Sequence, residues 1–275
     1  MPVLTLDYRC CDRKLPRYLK HSEVERVAAQ ARLQLVTAQT DAIPLATLKG
    51  LDGLRINGIA FDLWVDTEHP VTDEQGQPVL GVCEFDPHAG TDAAVLAISP
   101  VATESGDALM LSTFAHELGH AIFDAPGWIA AAARGPGLFD DVDPRAHKAY
   151  RTTTRDADHL AAAAAPGLQI PREVHFAELR ANEFMGSLLV PRLALRRAIE
   201  DLAAAHGVQI QHSPSLDPDL PGASLQLTAE GQAGAVEALQ KALAPRFGVH
   251  RRFIEVRMER YGYLPPSAPR NDARR

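Results

Sequence analysis

The stretch TFAHELGHAIFD, Thr113 to Asp124, limits what this chain can fold into more than any other feature does. It closes the run ALMLSTFAHELGHAIF, whose apolar residues fall on every side of a helical wheel from about Ser105 to Phe123. Such a run predicts a largely buried helix. Three polar groups, His116, Glu117 and His120, are set into it, and buried polar groups need a partner. Residues four apart on a helix share a face, so both imidazoles can reach one ion. Zinc accepts neutral imidazole nitrogens at about 2.0–2.1 Å and, in catalytic sites, keeps a position for water. Glu117 stands beside the first ligand, where it can take a proton from that water and return it to a leaving amine. A pattern with three fixed positions also recurs by chance, and two helical histidines can be surface residues. The apolar surroundings favour the metal.

A catalytic zinc needs a third protein ligand. The segment HFAELRANEFMGSLLVP (175–191) offers Glu178 on a second helix packed through Leu179, Phe184, Leu188 and Leu189. Asn182 lies one turn on, on the same face, where it can hydrogen-bond a ligand imidazole and fix its tautomer. Glu173 and Glu183 compete for the ligand role, and most helical glutamates are simply solvated. Asp124 lies four residues past His120. Three ligands at i, i+4 and i+8 span about 12 Å of helix, too far to meet one ion, so Asp124 reads as a partner of a ligand or as the helix end. His147, His159 and His175 have no ligand spacing.

The rest of the chain supplies a frame. In HSEVERVAAQARLQLV, Ser22 is a candidate N-cap, and Val24, Val27, Ala28 and Ala31 recur at helical spacing within a helical region over 20–50. The period then shortens, with strands at 59–66, 78–86 and 92–99 that are at least partly antiparallel. Residues 126–172 are rich in Pro, Gly, Asp and Ala and read as a partly irregular insertion or lid. Helix resumes from Glu173 to about Ala205, broken at Pro191. Residues 211–227 read as a Pro/Ser/Asp-rich linker and 228–264 as a helical segment. The tail, 265–275, reads as flexible. With a formal charge of −7, the chain is a poor general binder of nucleic acid or anionic membrane. No apolar run approaches the ~18–20 residues that cross a bilayer, and the N-terminus lacks the apolar core of a signal peptide. Cys10, Cys11 and Cys83 read as reduced thiols in a cytoplasmic protein.

TFAHELGHAIFD followed by ELRANEFMGSLLVP resembles the ImmA/IrrE family of bacterial zinc metallopeptidases. That family pairs a helical AHELGH with a downstream E-x-x-AN-x-F-A-x-x-LL-x-P segment. The likeness extends to strands entering the motif helix and to APRFGVHRRFIEVRMERYGYL, and covers about 55–125 and 173–264. It implies an α+β fold, with a mainly helical metallopeptidase domain over 1–210. In that fold a small three-stranded sheet leads into the motif helix, and a helix-turn-helix-like segment follows at the C-terminus. It implies one Zn2+ held by His116, His120 and Glu178, with Glu117 as general base, and it matches Asn182 and Pro191 to motif positions. It further implies a zinc endopeptidase that uses a metal-activated water. The protein substrate would be a helix-turn-helix transcriptional repressor. Three departures stand out. Met185 and Gly186 replace a small Ala pair, Asp124 stands where many relatives have His, and 58 positions separate His120 from Glu178 (178 − 120).

Tyr150, His159, His175 and Arg180 are candidates for stabilising an oxyanion. From 246 to 275, eight arginines face three acids, a local balance of +5. A basic helix could meet DNA phosphates, or its arginines could form a solvated, internally paired face. The alternative to a peptidase is a non-catalytic zinc-containing regulator that binds a repressor or DNA. The intact Glu117 argues against it, since a binding module has no need of the base.

Overall fold

The computed structural model describes residues 3–36, 40–73, 75–88, 90–103, 106–135, 146–153, 171–214, 223–228 and 234–264. The fold is α+β. The chain divides into two compact units, Met1–Leu189 and Val190–Arg275. The division falls beside the Pro191 break, ahead of the boundary expected at 210.

In the first unit, β1 (Val3–Leu6) is followed by α1 (His21–Leu35) and the short α2 (Leu45–Lys49). Helix α1 buries Val24, Val27, Ala28 and Ala31, the four residues its spacing singles out. Its N-cap is Lys20 rather than Ser22, because the Glu23 carboxylate accepts from the Lys20 backbone N–H at 2.8 Å. Strands β2 (Gly53–Ile56) and β3 (Ile59–Asp66) form a hairpin around Asn57 and Gly58, both at positive φ (50° and 80°). A small ribbon of β4 (Val71–Thr72) and β5 (Pro78–Val79) precedes β6 (Gly81–Phe85) and β7 (Ala93–Ile98).

The three expected strands are present as β3, β5 with β6, and β7, but β5 pairs only with β4, and the sheet that holds β3, β6 and β7 is larger than expected. It has six strands in the order β1-β2-β3-β7-β6-β8, where β8 is Lys148–Thr152. It is mixed, since β6 pairs antiparallel with β7 and with β8 while β3 pairs parallel with β7. Alternation sends every second side chain to one face. In β8 this places Tyr150 and Thr152 on one side, opposite Cys83 and Gly81 of β6.

Helix α3 (Gly106–Phe123) packs on that side, against β6, β7 and β8, and is covered by α5 (Arg172–Leu189). Every residue from Thr113 to Phe123 is buried, as an all-round apolar helix requires. Phe114, Phe123 and Phe184 are fully enclosed between these elements. Each such side chain contributes about 1.5–3 kcal/mol through burial. The two helices touch at Gly119, where a Cβ would lie 2.9 Å from Ala181 Cα. Between them, α4 (Ala125–Arg134) starts at an Asp124 N-cap with Pro126 in its first turn. The expected insertion over 126–172 therefore contains a helix and an edge strand of the main sheet. Residues 136–145 and 154–170 of it lie outside the described residues, as does the tail over 265–275.

The second unit contains α6 (Arg192–Leu202), a 3-10 turn (Ala204–His206), and β9 (Gln209–Pro214) paired antiparallel with β10 (Ala223–Thr228). It ends with α7 (Ala235–Phe247) and α8 (Arg251–Arg260), joined through Gly248. The segment read as a linker thus begins and ends in a strand pair. Several of the described arginines here are used internally. Arg246 bonds Asp201 at 2.9 Å, Arg252 reaches Glu255 at 2.9 Å, and Arg257 is buried over the Tyr261 ring. No helix among the described residues is long and apolar enough to cross a membrane.

Candidate metal centre

Helix α3 delivers His116 and His120 to the same side, and α5 brings Glu178 across from them. His120 Nε2 lies 3.2 Å from His116 Nε2. Glu178 Oε2 is 3.3 Å from His116 Nε2, and its Oε1 is 3.4 Å from His120 Nε2. Two donors held about 2.0–2.1 Å from one ion at a tetrahedral angle are themselves about 3.3–3.4 Å apart. The three donors are spaced to that measure, and the group could hold a metal ion.

The remaining ring nitrogens explain the orientation. His116 Nδ1 lies 3.1 Å from Asn182 Oδ1, and His120 Nδ1 lies 3.0 Å from Asp124 Oδ2. An Nδ1–H donating to each oxygen leaves both Nε2 atoms as lone-pair donors. Two lone pairs and a carboxylate then converge on one point, and a cation is what such a point favours. Protonation shows the same pull. Burial alone would lower the His120 pKa, but the bonds to Asp124 and Glu178 raise it to about 10. Burial pushes the Glu178 carboxyl upward, yet His116 and His120 hold it well below the usual carboxylate range.

Glu117 is fully buried beside the donors. Its Oε1 accepts from the Thr152 hydroxyl at 2.6 Å, and its Oε2 has no hydrogen-bond partner among the described residues. Burial raises its pKa, against the opposing pull of the two imidazoles and of the Thr152 bond. An environment that makes a carboxylate more basic than usual suits a proton acceptor.

The structure thus brings His116, Glu117, His120, Glu178 and Asn182 to one place. The rival ligands lie apart from it. Glu183 is buried, bonds Ser187 at 3.1 Å and lies 3.4 Å from His21, while Glu173 is exposed in the first turn of α5. His147 sits 3.2 Å from Glu84 on an exposed edge, and His175 lies against Phe176. His159 is outside the described residues. Of the oxyanion candidates, Tyr150 stacks on the His120 ring at 4.2 Å and 16°, and Trp128 stacks on Tyr150 at 5.6 Å. Arg180 is committed to Asp124 at 2.9 Å.

Thr152 is the residue the sequence reading misses. Its signal is present in HKAYRTTT, a short aromatic and β-branched run in which Tyr150 and Thr152 alternate. The Pro, Gly and Ala around it hide that run. No protein-family model matches the chain, and neither a curated protein nor a solved structure matches it. The chemistry of the centre therefore rests on its own geometry.

Proposed function

We propose that this chain is a zinc-dependent endopeptidase whose substrate is a transcriptional repressor of the helix-turn-helix class. The observation that carries the hydrolytic reading is the pairing of a tetrahedrally spaced His-His-Glu donor set with Glu117, a buried carboxylate with one oxygen bonded and the other unpartnered among the described residues. The substrate class follows the resemblance of the two motif segments to ImmA/IrrE peptidases. The cytoplasm, where three thiols stay reduced, is the compartment that fits this reading.

His116, His120 and Glu178 would hold the ion through Nε2, Nε2 and the carboxylate. A divalent ion there supplies Lewis acidity, which acidifies a coordinated water and polarises a carbonyl. Thr152 anchors Glu117 at Oε1, so that Oε2 is the atom that receives the proton of the attacking water. The same oxygen then delivers that proton to the departing amine. Asn182 keeps His116 in the tautomer that presents Nε2.

Metal analysis of the purified protein, followed by incubation with helix-turn-helix repressors of the same organism, tests the proposal. Glu117→Gln is expected to keep one equivalent of metal and to lose cleavage by about 100-fold or more. His116→Ala and Glu178→Ala are expected to lose the metal. A wild-type protein that takes up no stoichiometric metal sinks the proposal. Capture of an intact repressor by the zinc-loaded protein supports the non-catalytic regulator instead.

A further inference from the structure

Two groups at the centre, the buried Asp124 and the partly buried Arg180, have no part in the chemistry above. Asp124 occupies the N-cap position of α4, where an aspartate ordinarily accepts from the backbone N–H groups of the first turn. Its side chain makes no capping bond. Both of its oxygens are committed elsewhere, Oδ2 to His120 Nδ1 at 3.0 Å and Oδ1 to the Arg180 guanidinium at 2.9 Å. His120 is fully enclosed, Asp124 is 5% exposed, and the Arg180 side chain is 17% exposed. Arg180 comes from α5, two residues past Glu178. Residues two apart lie about 200° around a helix, so only a long side chain set there can return to the end of α3.

We infer that the Asp124–Arg180 ion pair is a positioning brace for the metal donors. It fixes the His120 ring with Nε2 toward Glu178 and ties that orientation to α5, the helix that supplies Glu178. An imidazole with no acceptor at Nδ1 is free to rotate or to place its proton on Nε2, and either change removes a donor. Asp124 prevents both. Arg180 in turn keeps Asp124 from turning back to cap α4. The two histidines are thereby treated differently. His116 has a neutral partner in Asn182, whereas His120 has a charged one, which makes it the more basic donor. The inference rests on the metal-centre reading and adds two residues that touch neither substrate nor ion.

The test is competition for Zn2+ against a chromogenic chelator, run beside thermal melts of the metal-free proteins. Asp124→Ala is expected to weaken zinc binding about 10- to 100-fold. Asp124→Asn keeps an acceptor but not the charge and should weaken it less. Arg180→Met should weaken it by roughly threefold or more, with Arg180→Lys recovering part of the loss. The double variant Asp124→Ala/Arg180→Met should bind no more weakly than Asp124→Ala alone, because Arg180 acts through Asp124. The conservative Asn and Lys variants keep the comparison interpretable if the larger changes impair folding. The brace is overturned if Arg180→Met binds zinc as tightly as wild type, or if the two losses add. If wild type itself binds no zinc, the metal centre falls and the brace with it. If wild type binds one ion and every variant binds it equally well, only the brace falls.

Discussion

A buried carboxylate with one oxygen bonded and one bare is held in place by very little. For Glu117 that hold is the Thr152 hydroxyl. Thr152→Val keeps the shape of the side chain and removes the one hydrogen bond that Glu117 makes among the described residues. An unsatisfied buried polar group costs about 1–3 kcal/mol, and urea denaturation should show a loss of that size. Thr152→Ser should stay close to wild type, and the proposed peptide hydrolysis should fall with the Val variant and not with the Ser variant. His116, Glu117 and His120 are legible in the sequence because their relation is local, one helical turn. Thr152 is not, because it reaches Glu117 through the pairing of β8 with β6, and that pairing leaves no mark in the spacing between them.

The meeting of α3 and α5 depends on small residues. Gly119 and Ala181 let the two backbones approach closely, which lets Glu178 reach both imidazoles. A methyl group at Gly119 would sit 2.9 Å from Ala181 Cα, where only backbone movement can relieve it. Gly119→Ala should therefore destabilise the protein by about 1–3 kcal/mol despite the better helix propensity of alanine. It should also weaken metal binding, read by chelator competition, because Glu178 moves back with its helix. Helices α1, α3, α5 and α6 are readable from period and composition, including the break at Pro191, whereas α4 is hidden in a stretch whose Pro, Gly and Ala read as irregular. The sheet is readable only in part. β2 is missed although Asn57-Gly58 between apolar runs is the strongest short hairpin signal a sequence carries. β1 and β8 gain their strand character from their neighbours, β1 beside β2 and β8 beside β6, and short edge strands have little pattern of their own.

Across the whole molecule, the donor cluster makes stability depend on pH in a way that metal should cancel. His120 has a folded pKa raised from 6.5 to about 10. Its contribution is fully present below pH 6.5 and is lost as pH rises toward about 10. Glu178 has a depressed folded pKa, so its contribution is present above the ordinary glutamate value of 4.5 and is lost as pH falls. The metal-free protein should be most stable between these limits, and its urea midpoint should decline from pH 6.5 to 10. An ion takes the place of the His120 proton, so the metal-loaded protein should hold its midpoint over that range. Equal slopes for the two forms would contradict this account of the cluster.

The order of elements along the chain has a kinetic consequence. The helix with two donors comes first, the edge strand β8 follows, and the helix with the third donor comes last. Closing the intervening loop is a slow, non-local step, and zipping β8 onto β6 is another. The ion then has no complete set of donors until that loop has closed and α5 has met α3, and Glu117 is not anchored by Thr152 until β8 has zipped. Metal uptake during refolding should lag behind the growth of helical signal, so capture of the ion serves as a clock for the meeting of α3 and α5.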